Sequence, residues 1–214
     1  MKRYFQWMVA GLIDRRWVSV AIAATVFLVF GSTELVARGA GENAGGVDEP
    51  AHGTRDTESI AEGLRGLGIQ TLREDVDAID FTLESLSGGE ITLSEYRGSL
   101  VFLNFWATWC GPCIEEMPSM QVLYDEFAHR GLEIIAVNLQ ENRETVAEFI
   151  TEYPYTYPIA LDYRGSVASR YSVRGIPTSY FIAPDGRILG MKLGFRLWDD
   201  PEVIEFFDTI VPGS

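Results

Sequence analysis

The stretch Phe102-Leu-Asn-Phe-Trp-Ala-Thr-Trp-Cys-Gly-Pro-Cys113 constrains this chain most, because an apolar run ends there at two closely spaced cysteines. Val101 to Ala107 is rich in β-branched and aromatic residues, as expected of a strand buried on both faces of a sheet. The chain then turns and enters a helix, which places Cys110 near the helix N-terminus. Because the chain has only two cysteines, any thiol chemistry must use this pair.

The spacing of the two cysteines favours redox chemistry. Unpaired amides and the positive end of the helix dipole stabilise a thiolate at Cys110, which is therefore the expected nucleophile. Cys113 lies one turn further on the same face and is expected to attack a mixed disulfide formed through Cys110. The alternative is a purely structural disulfide, but so short a loop constrains the unfolded chain very little. No metal is predicted, because the only histidines, His52 and His129, are distant in sequence.

These residues resemble the thioredoxin superfamily, and within it the membrane-anchored thiol-disulfide oxidoreductases of the TlpA/ResA type. The resemblance covers about residues 78–207 and includes, besides the cysteine motif, Glu116-Met-Pro118, Val137-Asn-Leu-Gln-Glu141 and Gly175-Ile-Pro-Thr178. It implies an α/β thioredoxin fold with a mixed central sheet flanked by helices and an N-terminal β-hairpin extension. It also implies an enzyme that reduces protein disulfides outside the cytoplasm, often during cytochrome c maturation.

The resemblance also sets the expected partners. No cofactor is expected besides a redox-active Cys110–Cys113 disulfide. The expected partners are disulfide-containing protein substrates, with apocytochrome c as a candidate, and a membrane-embedded thiol electron donor. The alternative is a binding protein on the same scaffold, such as a copper carrier or a holdase. Copper carriers of this fold generally need a histidine and a wider cysteine spacing, which this sequence lacks.

Glu116 is the expected third catalytic residue. Asn104 occupies the strand position where thioredoxins proper carry a buried aspartate that helps to move protons to the resolving cysteine. Asn104 cannot titrate and is expected to hydrogen-bond inside the core. Glu116, three residues after Cys113 and so on the same helix face, is expected to supply the missing carboxylate. The alternative is an acid that only interacts with the helix dipole. Glu141, at a strand end, is a further candidate.

Five positions are predicted to contact the substrate: Trp109, Gly111, Pro112, Ile176 and Pro177. In this superfamily the proline that faces the Cys-Gly-Pro-Cys loop follows a cis peptide bond, so the Ile176–Pro177 bond is expected to be cis. The Ile176 backbone would then pair with an extended substrate. The alternative is a proline that simply starts a strand. Trp106 and Trp109 are expected to form an apolar docking rim, although a tryptophan such as Trp106 is more often in the core.

The first 77 residues are predicted to form four segments. These are a cytoplasmic N-terminal segment (1–16), a transmembrane signal-anchor (17–37), a flexible linker (38–58) and a short helical lead-in (59–77). The apolar segment is long enough for a hydrocarbon core of about 30 Å. The basic residues before it place the N-terminus in the cytoplasm and the rest of the chain on the extracytoplasmic, periplasmic side of the cell membrane. The alternative is a cleaved signal peptide, because Ala37-Arg38-Gly39 offers small residues.

A thioredoxin-like domain is predicted over residues 78–214. Its strands alternate with helices before a final hairpin and helix, which predicts a mixed sheet with helices on both faces. Five of the 17 basic and two of the 31 acidic residues precede residue 39, which leaves 12 basic and 29 acidic residues after it. So acidic a domain repels nucleic acid and anionic lipid, and no nucleic-acid partner is expected.

Overall fold

The computed structural model describes residues 52–72 and 76–211. The predicted segments 1–16 and 17–37, and most of the predicted linker 38–58, lie outside these residues. Within the two described ranges, no helix has both the length and the apolar character needed to cross a membrane.

The described residues contain eight strands and five α-helices. The strands are β1 (Gln70–Thr71), β2 (Thr82–Ser85), β3 (Glu90–Thr92), β4 (Leu100–Trp106), β5 (Leu132–Leu139), β6 (Ile159–Asp162), β7 (Thr178–Ile182) and β8 (Ile188–Leu193). The helices are α1 (His52–Gly66), α2 (Gly111–Phe127), α3 (Arg143–Glu152), α4 (Ser166–Arg170) and α5 (Pro201–Ile210).

All eight strands belong to one sheet, in the order β1-β8-β7-β4-β5-β6-β2-β3. β5 pairs parallel with both β4 and β6. β7 pairs antiparallel with β4 and with β8, and the outer pairs are antiparallel as well. The sheet is therefore mixed, as the alternation of strands and helices predicts.

The central strand β4 is buried along its whole length. On one face of the sheet, Phe102 contacts Phe181 and Trp198 at ring-centroid distances of 4.9 and 4.6 Å, within a core that includes residues of α2 and α5. On the other face, Phe105 contacts Tyr171 at 5.6 Å, beside α4. Full burial of each phenylalanine stabilises the fold by about 2 to 3 kcal/mol relative to exposure. The prediction of a strand buried on both faces is confirmed.

The N-terminal boundary of the fold differs from the prediction. Helix α1 begins at His52, inside the predicted linker 38–58, and ends at Gly66, well before the predicted end of the lead-in at 77. The helix starts earlier than predicted because its buried residue Leu64 packs on the core. Once that part of the helix is formed, each further turn is added at little cost in free energy. The helix stops because Gly68 has a φ of +72°, a left-handed conformation that favours glycine after a helix. β1 follows and pairs with β8.

Strands β2 and β3 extend the sheet at the opposite edge. They pair antiparallel with Leu83 opposite Ile91, and β2 also pairs antiparallel with β6. Gly88 and Gly89, in the connection between the two strands, both have positive φ.

Three strands bring functional residues to the same end of the sheet, which is the C-terminal end of β4 and β5. β4 and β5 both end there, with Trp106 opposite Asn138 in the register. β7 runs antiparallel to β4 and begins there, with Thr178 opposite Phe105. The loops that follow β4 and β5 and the loop that precedes β7 are therefore neighbours.

Candidate active site

Cys110 and Cys113 form a disulfide at the start of α2, with their Cα atoms 5.2 Å apart. Cys110 is the N-cap residue of the helix, and its sulfur accepts a hydrogen bond from the backbone N–H of Cys113 at 3.3 Å. This position places the sulfur at the positive end of the helix dipole, where a thiolate is stabilised. The predicted location of Cys110 at a helix N-terminus is confirmed.

The residues around the disulfide differ in their exposure. Cys113 is completely buried, whereas 5% of Cys110 is exposed. Trp109 is 71% exposed, and Gly111 and Pro112 are exposed too. A partner protein can therefore approach Cys110 from the side on which Trp109, Gly111 and Pro112 are exposed. Cys113 is shielded from solvent. Trp106 is fully buried and belongs to the core.

Glu116 is fully buried inside α2, one turn after Cys113. Its Oε1 accepts a hydrogen bond from the side-chain amide of Asn104 at 2.8 Å, and its Oε2 accepts one from the backbone N–H of Arg196 at 3.3 Å. The Asn104 amide also donates to the Ser179 hydroxyl at 3.0 Å. The expected hydrogen-bonding role of Asn104 inside the core is confirmed.

Burial raises the pKa of the Glu116 carboxyl from its usual 4.5 to about 7. The hydrogen bonds from Asn104 and Arg196 and the positive charge of Lys192 oppose this rise. The indole N–H of Trp198 makes no hydrogen bond, yet it lies close enough to the carboxylate to lower this pKa as well. The carboxyl can thus gain and lose a proton near neutral pH.

Glu141 holds the loop that leads to Cys110. Its carboxylate accepts hydrogen bonds from the backbone N–H of Thr108 at 2.7 Å and from the Thr108 hydroxyl at 2.5 Å. It also accepts one from the side-chain amide of Asn138 at 2.7 Å. Glu141 therefore links the end of β5 to the loop after β4, and it is a positioning residue in this arrangement.

The Ile176–Pro177 peptide bond is cis. The register of β7 with β4 places Pro177 at the end of β4 from which the chain turns toward Cys110. The carbonyl oxygen of Pro177 accepts a hydrogen bond from the backbone N–H of Gly194 at 2.8 Å. Pro177 is buried and Ile176 partly buried, so the loop before β7 is fixed between β4 and β8.

The end of β8 and the segment after it carry an apolar surface that the sequence did not suggest. Leu193, Phe195 and Leu197 are exposed by 55, 39 and 42%. They alternate with Arg196 and Trp198, which lie on the Glu116 side of the same segment. Exposed apolar side chains in a segment that is hydrogen-bonded to Pro177 and to Glu116 are typical of a surface that contacts another protein.

Three residues near Glu116 were also missed. Arg196 donates its backbone N–H to the carboxylate, and Ser119 accepts a hydrogen bond from the backbone N–H of Trp198 at 2.9 Å. These contacts depend on how the segment after β8 folds back onto α2. No local pattern in the sequence signals such a contact.

A family model described as the AhpC/TSA family matches residues 75–191. Among curated proteins, the chain is similar to the thiol-disulfide oxidoreductase ResA of Bacillus subtilis (strain 168). The two are 36% identical over 147 residues, which cover 69% of this chain and 81% of the relative.

Two solved structures are also similar to this chain. The fold is similar to that of a thiol:disulfide interchange protein DsbE from Chlorobium tepidum, with a TM-score of 0.60 and 32% identity, over 66% of this chain and 100% of the other. It is also similar to StoA from Bacillus subtilis, with a TM-score of 0.52 and 30% identity, over 62% of this chain and 99% of the other.

Proposed function

Because this chain belongs to the AhpC/TSA family and is a ResA-like thiol-disulfide oxidoreductase of the thioredoxin type, we propose that it reduces protein disulfides outside the cytoplasm with Cys110 and Cys113. The observation that carries the proposal is the arrangement of one disulfide and one buried acid at the start of α2. Cys110 can be reached from outside, Cys113 is shielded, and Glu116 lies behind both.

The reaction begins with the reduced dithiol. The Cys110 thiolate attacks one sulfur of the substrate disulfide, forming a bond to that sulfur and releasing the other as a thiolate that takes a proton. Cys113 then loses its proton and attacks the Cys110 sulfur. The Cys110–Cys113 bond forms, the bond to the substrate breaks, and two electrons have passed to the substrate. The enzyme ends with the disulfide present in the structure.

Glu116 is proposed to accept the proton that Cys113 loses in the second step. A general base works best when its pKa is near the working pH, and burial raises the pKa of Glu116 to about 7. In the reduced enzyme the two groups would titrate as a coupled pair, because a charge on one disfavours a charge on the other. This role agrees with the placement of Glu116 one turn after Cys113 and with the lack of a titrating group at Asn104.

The substrate is proposed to lie across the exposed rim of the site. Trp109, Gly111 and Pro112 would contact it beside Cys110, and the backbone of Ile176, before Pro177, would pair with an extended segment of it. The exposed apolar side chains at the end of β8 and after it support a protein substrate over a small thiol, because they offer contact area well beyond the reacting sulfurs.

The cellular setting is part of the proposal. Residues 17–37 would anchor the enzyme in the cell membrane, with the catalytic domain on the extracytoplasmic side. A membrane-embedded thiol donor would re-reduce the disulfide, and the tether would raise the effective concentration of the domain near that donor. Apocytochrome c is the proposed substrate among disulfide-containing proteins, which places the enzyme in cytochrome c maturation.

Trapping of mixed disulfides tests the function. In membranes that contain Cys113→Ser, Cys110 should form stable adducts with its substrates, because the resolving thiol is missing. Mass spectrometry of these adducts should identify extracytoplasmic proteins with cysteine pairs, apocytochrome c among them. Cys110→Ser is the control and should trap nothing. If Cys110→Ser trapped the same proteins, the assigned roles of the two cysteines would be wrong.

A further inference from the structure

A second cavity lies on the side of the domain formed by β2, β3 and the facing ends of α2 and α3. It is a groove with a volume of about 640 Å³, and neither cysteine nor Glu116 lines it. Four tyrosines do: Tyr96, Tyr124, Tyr155 and Tyr157. We refer to it as the tyrosine groove. In the part of the chain that the structure describes, no lysine, arginine or histidine lines it.

The aromatic rings of the groove support each other. Tyr155 and Tyr157 are stacked, with centroids 5.4 Å apart and planes inclined by 13°. Tyr124 meets Tyr157 edge to face at 6.0 Å. Tyr157 is 2% exposed and its hydroxyl has no hydrogen-bond partner, whereas the other three tyrosines are partly exposed. The groove therefore offers aromatic surface to a ligand on a rigid base.

The charge at the groove is mostly negative, although the Arg143 guanidinium, which pairs with Glu84, donates to the carbonyl oxygens of Ser85 and Leu86 in its lining. Glu90 lines the groove. Glu133 is outside the lining, but it lies close enough to Tyr96 and Tyr124 to raise the pKa of each hydroxyl, after the larger effect of burial. Glu133 is itself partly buried, and no cation pairs with it among the described residues. A carboxylate that is partly removed from water without a partner is destabilised, and a cation supplied from outside would offset that cost.

We propose that the tyrosine groove binds a lysine or arginine side chain of the protein substrate and so forms a second docking site, apart from the disulfide. Aromatic faces attract cations, and the neighbouring carboxylates add charge complementarity. An acidic ligand would be repelled by the same carboxylates, and the Arg143 guanidinium beside the groove is already engaged by Glu84 and by two backbone carbonyl oxygens. That the partner is a disulfide-containing protein rests on the proposed function. The preference of the groove for a cation does not depend on it.

The distance from Cys113 to Tyr124 along α2 sets a minimum separation in the substrate between its reacting cysteine and the basic residue that enters the groove. Tyr124 follows Cys113 by eleven residues in α2. At about 1.5 Å per helical residue this is about 16 Å, which an extended segment covers with about five residues at about 3.3 Å each. A basic residue that uses the groove should therefore be at least about five residues from the substrate cysteine.

Binding can be tested without any redox step. Full-length protein in nanodiscs of zwitterionic lipid is titrated by calorimetry with a disulfide-free peptide that contains four lysines, and with its glutamine counterpart. The lysine peptide should bind and the glutamine peptide should not. Glu90→Gln and Tyr155→Leu should each weaken binding by about fivefold, while Tyr155→Phe, which keeps the ring, should not. Glu205→Gln, an exposed acid on α5 outside the groove, is the charge control.

Two outcomes would overturn the inference: equal binding of both peptides, or unchanged affinity in both Glu90→Gln and Tyr155→Leu. The use of two variants matters because loss of the Tyr155 ring alone could also disturb packing. Thermal melting of each variant identifies such a disturbance, and Glu90→Gln, at an acid that lines the groove, then decides the result.

Kinetics separates this inference from the proposed function. Pre-reduced protein reacts in single turnovers with disulfide peptides that carry two lysines at two, six or ten residues from the cysteine. The rate constant should exceed that of the neutral peptide at six and ten residues, but not at two. Equal rates for all peptides would contradict the second docking site alone. If no peptide were reduced, the reductase function would be wrong, whereas the calorimetric result would still decide whether the groove binds cations.

Discussion

The side-chain amide of Asn104, in the central strand, donates a hydrogen bond of 2.8 Å to the buried carboxylate of Glu116, in the active-site helix. The same amide donates to Ser179 in β7 at 3.0 Å. One asparagine thus joins two strands of the sheet to the acid behind the disulfide. It orients the carboxylate and moderates the rise in pKa that burial causes, so that the group titrates at about 7 and not higher.

Glu116→Gln should change how the reaction depends on pH. The variant keeps the size of the side chain but cannot take the proton of Cys113. We expect slower release of the oxidised enzyme from the mixed disulfide, by about 10- to 100-fold, since general-base catalysis commonly contributes at least this much. The inflection near pH 7 should disappear. Stopped-flow measurement of the release step from about pH 5 to pH 9 provides the test.

Glu115→Gln is the matched control, because Glu115 precedes Glu116 in the helix but is exposed. Its profile should overlay that of the wild type. Superimposable profiles for Glu116→Gln and the wild type would show that Glu116 is an ordinary helix acid.

The stability of the oxidised protein should depend on pH through the same group. The pKa of Glu116 is raised from 4.5 to about 7 in the folded state, so the folded state binds more protons than the unfolded state between these values. Its contribution is therefore fully present below pH 4.5 and is lost as the pH rises to about 7. The loss is on the order of 3 kcal/mol.

Glu116→Gln lacks this titration, which gives the measurement. Relative to the wild type, the variant should gain on the order of 3 kcal/mol of unfolding free energy between about pH 4 and pH 8, as measured by urea denaturation. Comparison of the two proteins at each pH cancels the other acidic groups. A difference that stayed constant over this range would mean that the carboxyl titrates normally.

The sequence predicts the centre of the fold well, because its signals there are local. β4, Leu100–Trp106, begins and ends one residue before the predicted bounds Val101 and Ala107. Long apolar runs bounded by turn residues leave little choice of structure. The Cys-Gly-Pro-Cys motif likewise defines the reactive pair without any tertiary information.

The surroundings of the site are not predictable in this way. The amide that Arg196 donates to Glu116 comes from a segment 80 residues away in sequence. The start of α1 at His52 was also missed, because a polar, glycine-containing sequence predicts a linker and the helix depends on packing of its later turns. Both features depend on tertiary contacts that have no periodic pattern.

Glu141→Gln should slow the first chemical step. The carboxylate accepts three hydrogen bonds from Thr108 and Asn138, whereas the amide of glutamine would turn a donor toward one or more of these donors. The loop before Cys110 should loosen, and the attack of pre-reduced protein on a disulfide reagent should slow by about tenfold because the nucleophile is misplaced. The unfolding free energy should fall by about 1 to 3 kcal/mol.

Glu144→Gln is the control for that variant, since Glu144 lies three residues further on and is exposed at the start of α3. It should react at the wild-type rate. Wild-type rates in Glu141→Gln as well would remove Glu141 from the positioning of the nucleophile.

Arg196→Met should shift the pH-rate profile as well as the stability. The guanidinium donates to the carbonyl oxygen of Leu67 at 2.8 Å and to Glu202 at 2.7 Å, and these bonds hold the backbone N–H of Arg196 against Glu116. Without them the N–H should withdraw, and the pKa of Glu116 should rise further because a hydrogen bond to its charged form is lost. The inflection of the release step should therefore move to higher pH.

Arg130→Met is the matched control. Arg130 is also bonded to a carboxylate, that of Asp208 in α5 at 2.6 Å, but it follows the opposite end of α2 from Glu116. Both variants should lower the melting temperature, and only Arg196→Met should move the inflection. An equal shift in both, or none in Arg196→Met, would show that Arg196 acts on stability alone.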